Sequence, residues 1–113
     1  MIDRTAIEQA RNDAAFRDGC WLTFYLAGPP DAHAMMLPGL VALKACNLDG
    51  AEGGFVYAKV PVELATSEIE ARIALVRQLA SDAEIEIVLI DLDASADVER
   101  SKFYNLWQEP PME

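Results

Sequence analysis

The chain has 113 residues, of which 19 are acidic and 9 basic, giving a net charge of -10, and 52% are hydrophobic. A chain of that length forms one domain that buries roughly 65% of its unfolded surface without metal or disulfide staples, so disorder and zinc-dependent folding are disfavoured. The negative excess repels phosphate backbones, which argues against nucleic acid, and attracts basic partners.

Residues 3–18 are rich in Ala, Glu, Gln and Arg, with Ile7, Ala10, Ala14 and Phe16 near one helical face. They predict a peripheral helix that stops at Gly19. Cys20 to Ala27 combines aromatic and β-branched residues before Gly28-Pro29-Pro30, and reads as a first strand with a firm stop. Asp31 then caps a short helix through Leu37, which Pro38-Gly39 is expected to end or kink. Leu40 to Asn47 fits either a continued helix or a strand. The glycines between Asp49 and Gly54, followed by the alternating run Phe55 to Val62, favour a hairpin. Phe55, Tyr57 and Lys59 fall on one face of that second strand, and Val56, Ala58 and Val60 on the other. Pro61 cannot donate a ladder hydrogen bond, so the strand ends there or lies at an edge.

Ser67-Glu68-Ile69-Glu70 has the spacing of a capping box, from which a helix runs with Ile69, Ile73, Val76 and Ala80 on its inner face. Ile85 to Ile90 is a nearly continuous β-branched run of the kind found in central strands. Ala94 to Trp107 is expected as a capped amphipathic helix carrying Val98, Phe103, Leu106 and Trp107, with Pro110-Pro111 in a loose tail.

These elements predict a single α+β domain over 1–113. Within it, a peripheral helix (1–19) precedes a ferredoxin-like βαββαβ sandwich (20–93) and a C-terminal helix or extension (94–113). The helices would sit on one sheet face, leaving the terminal helices or a homodimer to cover the other. No apolar stretch approaches the ~20 residues of a membrane helix. The polar start carries no secretory signal, so the expected address is the cytoplasm.

Catalytic vocabulary is sparse. Cys20 and Cys46 lack CxxC spacing and His33 is the one histidine, so no metal and no cofactor is expected. Alternation points Asp91 and Asp93 to the same side of a strand end, where a solvated position is expected. The segment Ile87-Val88-Leu89-Ile90-Asp91-Leu92-Asp93 resembles the nucleophile strand of haloacid-dehalogenase-like phosphatases. Ala94-Ser95 stands where that family has Gly-Thr, however, and only 20 residues follow Asp93. His33 is the best general base available, yet no serine or cysteine lies in a nucleophile-elbow context. Asp49 to Gly54 lacks the Lys-Ser/Thr of a phosphate-binding loop. Val60-Pro61 ahead of a helix ending Leu79-Ala80 resembles the bacterial ribonuclease E inhibitor family over residues 60–80. Beyond it the chain reads Glu84-Ile85-Glu86-Ile87-Val88, where that family has Gly-Gly and Tyr-Asp-Gly-Trp, and membership is not inferred.

The composition therefore points to a non-enzymatic interaction or regulatory protein of inhibitor or immunity type that binds a basic partner protein. Asp91, Asp93, Asp97 and Glu99, with Phe103, Tyr104 and Trp107, are its candidate contacts. The alternative is a small-metabolite-binding enzyme or sensor of ferredoxin-like dimer type, with Tyr25, His33 and Tyr57 lining its pocket.

Overall fold

Asp3 starts the first helix: its carboxylate accepts from the backbone N–H groups of Thr5 and Ala6 at 3.0 and 3.3 Å, and α1 runs Arg4–Arg11. The computed structural model describes residues 2–17, 19–46, 55–95 and 102–109. The helix does not continue to Gly19. Asp13 accepts from Ala15 N–H at 3.0 Å and restarts the chain as a 3-10 turn over Ala14–Phe16, because a short acidic side chain competes well for nearby backbone donors. The turn buries Phe16.

After it come β1 (Cys20–Ala27), α2 (Pro30–Ala42), β2 (Phe55–Val62), α3 (Thr66–Asp82), β3 (Glu86–Asp93) and β4 (Phe103–Gln108). The four strands form one antiparallel sheet in the order β2-β1-β3-β4. Strand β1 lies between β2 and β3, and α3 makes the crossover that joins its two neighbours. This is a mixed α+β fold, but its element order departs from the expected βαββαβ at two places.

The first is Pro38-Gly39, which α2 passes through. A Cβ on Gly39 would lie 2.5 Å from Leu79 Cδ2, so the missing side chain is the seat of the α2–α3 contact. Pro38 is exposed, and the packing of Gly39 outweighs the one helical hydrogen bond that the imino nitrogen cannot donate. Residues 40–42 are consequently the last turn of α2 rather than a strand, and among the described residues of the expected first hairpin strand only Cys46 pairs with the sheet, as an isolated bridge to Lys59. The second departure is the expected C-terminal helix. Residues 103–108 (Phe-Tyr-Asn-Leu-Trp-Gln) pair with β3 instead, as their aromatic content favours, and residues 96–101 lie outside the described residues.

The capping box is also not used: α3 begins at Thr66, with Ala65 as its cap and no side-chain cap bond, and Glu70 instead binds Arg4 of α1 at 3.0 and 3.1 Å. The inner face of α3 is as expected, with Ile69, Ile73, Val76 and Ala80 buried. They join Leu22, Phe24 and Leu26 of β1, Ala58 and Val60 of β2, Ile90 and Leu92 of β3, Met36 and Leu40 of α2, and Ile7 of α1 in one core. All the helices therefore cover the same sheet face. Pro61 sits in β2, an edge strand, where its missing N–H is tolerated. Among the described residues, no helix is long and apolar enough to cross a membrane.

Candidate functional site

On the sheet face turned away from that core, the register places four polar residues in one row: Lys59 of β2 opposite Thr23 of β1, Thr23 opposite Asp91 of β3, and Asp91 opposite Asn105 of β4. Directly opposed residues share a face and touch. Asp93, two positions along β3, points the same way and lies diagonally beside Thr23. Most of the row is buried: Lys59, Thr23 and Asp91 are each 2% exposed and Asp93 is 0% exposed, whereas Asn105 on the edge strand is exposed.

Burial at this level obliges every charge to find a partner, since an isolated ion in a low-dielectric interior is unstable by many kcal/mol. Lys59 Nζ lies 3.3 Å from Asp93 Oδ2 and donates to the Ser95 carbonyl at 3.2 Å. The Thr23 hydroxyl donates to the same Asp93 oxygen. Asn105 Nδ2 donates to Asp91 Oδ1 at 3.0 Å and to the Trp107 carbonyl at 3.2 Å. One ammonium, one hydroxyl and one amide thus hold two carboxylates inside the sheet. The sequence shows a single lysine in an apolar strand and two aspartates at a strand end, but not that the three enter the interior together, since Lys59 and Asp93 are 34 positions apart.

Among the described residues, the expected acidic and aromatic contacts are not brought together on one exposed surface. Asp91 and Asp93 are interior rather than solvated, because Lys59, Thr23 and Asn105 bind them. Asp97 and Glu99 lie outside the described residues. The Tyr104 hydroxyl donates to Asp13 Oδ2 at 2.9 Å, and its ring lies 5.6 Å from that of Phe16. Trp107 lies beneath the Arg77 guanidinium, 5.2 Å from centroid to carbon. Phe103 is 46% exposed.

Asp13 is the hub of the β4 attachment. The Ala15 N–H holds its carboxyl below the usual carboxylate range, helped by the Tyr104 hydroxyl and by Lys102, whose Nζ is 3.3 Å away. In return Asp13 raises the pKa of both Lys102 and Tyr104.

The three candidate pocket residues do not converge either. Tyr25 and Tyr57 pack edge to face with centroids 4.8 Å apart on the sheet face away from the core. His33 belongs to α2 on the other side and donates from Nε2 to the Gly28 carbonyl at 3.0 Å, which ties the helix start to the strand end. Cys20 is buried and donates its thiol to the Val62 carbonyl at 3.0 Å, and burial pushes its pKa up to about 11. It is therefore a poor nucleophile. Among the described residues, no group of three or more His, Cys, Asp or Glu side chains is placed to hold a metal ion. No family model, no curated protein and no solved structure matches this chain.

Proposed function

We propose that the protein is a non-enzymatic interaction module that binds a basic partner protein, and that the outer face of α2 is its contact surface. One observation carries this reading. The sequence of α2, Pro-Asp-Ala-His-Ala-Met-Met-Leu-Pro-Gly-Leu-Val-Ala, has Asp31 and His33 as its only polar side chains. A helix that is apolar all round is ordinarily buried all round. Here Met36 and Leu40 face the core, whereas Met35 is 69%, Val41 59% and Leu37 45% exposed.

Leu75 of α3, 51% exposed, and Met35 each stand one turn before the residue that makes the α2–α3 contact on its own helix. The apolar surface thus extends to both sides of that contact. The chain's net charge of -10 favours a partner with cationic residues flanking an apolar anchor.

A photoreactive amino acid placed at position 35 or 41, with position 8 on α1 as the control, tests the proposal in living cells. The expected result is one basic protein crosslinked from positions 35 and 41 and absent from position 8, with the crosslink lost when a lysate is brought to high salt before irradiation. Met35→Ser with Val41→Ser should weaken its binding at least tenfold, since burying each such side chain contributes about 1.5–3 kcal/mol. The same crosslinks from all three positions, or none from 35 and 41, would overturn it.

A further inference from the structure

Two cations of this acidic chain line one cleft. Lys44, just past the end of α2, and Arg72 of α3 border an open cleft of about 400 Å3 together with Trp21, Pro61, Val62 and Glu63. Arg4, Arg11, Lys59 and Lys102 each hold a carboxylate; among the described residues Arg17, Lys44, Arg72 and Arg77 form no ion pair, and of these Lys44 and Arg72 share this opening. In a chain with 19 acidic side chains against 9 basic, two cations without a carboxylate partner at the same opening make that opening locally positive.

The rest of the lining narrows the ligand. The Trp21 ring lies over Gly19, whose φ is +142° and where an added Cβ would come within 3.3 Å of the ring. A flat wall is therefore set against the backbone, and Pro61 and Val62 continue the apolar surface. Glu63 cancels one of the two positive charges, so the lining carries a net single positive charge. That suits one carboxylate and disfavours a polyphosphate. The volume lies in the usual range for a small organic molecule. Cys20 also lines the cleft, and its buried thiol donates to the Val62 carbonyl.

We infer that this cleft binds a small organic monocarboxylate, its anionic end between Arg72 and Lys44 and its flat apolar body against Trp21, Pro61 and Val62. The cleft adjoins the end of α2 at Ala42 but includes none of Met35, Leu37, Val41 and Leu75, so either site can fail without the other.

Titration of the isotopically labelled full chain with benzoate and with indole-3-acetate, followed by amide and indole N–H resonances, tests it. Benzamide serves as the neutral analogue and inorganic phosphate as the second anion. Saturable shifts at Trp21, Leu43, Lys44 and Val62 are expected, with a Kd of about 1 mM or tighter for at least one carboxylate. Benzamide and phosphate should bind at least tenfold more weakly.

Arg72→Gln should weaken the carboxylate about tenfold, as loss of a charged hydrogen bond does. Lys44→Gln changes an exposed side chain, keeps the fold, and carries the same expectation if the Arg72 variant unfolds. No saturable shift with either carboxylate, equal binding of benzamide or of phosphate, or unchanged affinity in a folded Lys44→Gln protein would overturn the inference.

Discussion

Lys59 and Asp93 are interdependent in a way that neither residue is alone. Removing the ammonium leaves a carboxylate in the interior of the sheet, so Lys59→Met should destabilise the protein by about 3–5 kcal/mol in urea unfolding. Adding Asp93→Asn should recover much of that loss, because an amide still accepts from Thr23 and carries no charge. If the double variant proves no more stable than Lys59→Met, the pair is not the unit that the geometry describes.

Asp13 makes a prediction about pH. Its folded pKa is depressed below the ordinary value of 3.8, so the stability it contributes is present above that value and is lost as pH falls through the lower, folded one. Asp13→Asn should therefore be less stable than the parent at neutral pH and should lose less stability on acidification. Urea midpoints measured across that range for both proteins check the sign. Neither the Asp13 hub nor the burial of Lys59 was legible from spacing, since each depends on residues more than thirty positions away. What the alternation did convey was the shared face of Asp91 and Asp93 and the side of β2 on which Lys59 falls.

At the scale of elements, local patterns were informative wherever one chain segment decides its own state. Gly28-Pro29-Pro30 ends β1, and the spacing of Ile69, Ile73, Val76 and Ala80 marks the inner face of α3. They failed where a distant side chain decides. Leu79 fills the space at Gly39, and a Pro-Gly pair that reads as a stop becomes part of a helix–helix contact. Gly39→Val should cost roughly 1–3 kcal/mol through overpacking, and the penalty should shrink in a Leu79→Ala background.

Both long helices end alike. The N–H of Ala45 reaches the Leu40 carbonyl at 3.0 Å and that of Ile85 the Ala80 carbonyl at 2.8 Å, each around a left-handed residue, Lys44 at φ 63° and Glu84 at φ 58°. Glycine is the unstrained occupant of such a position. Glu84→Gly should accordingly raise stability by about 0.5–1 kcal/mol, read as a higher urea midpoint at unchanged slope.

For the molecule as a whole, the order of predicted elements conveyed the mixed α+β character, while the topology depended on pairings that no local pattern encodes. Strand β1 is the first strand in sequence and the one whose two neighbours both come later: β2 ends at residue 62 and β3 at residue 93. A chain emerging from the ribosome therefore holds β1 with one side open for as long as the intervening segment takes to appear, a few seconds at ~5–20 residues per second. During that interval Leu22, Phe24 and Leu26 sit beside an unpaired edge of the kind that recruits other chains. Slowing translation after β1 has left the exit tunnel and before β3 has left it should thus lower the soluble yield, whereas slowing it while β1 is still inside the tunnel should not. The strand that anchors the finished sheet is the one most exposed to error while the sheet is being made.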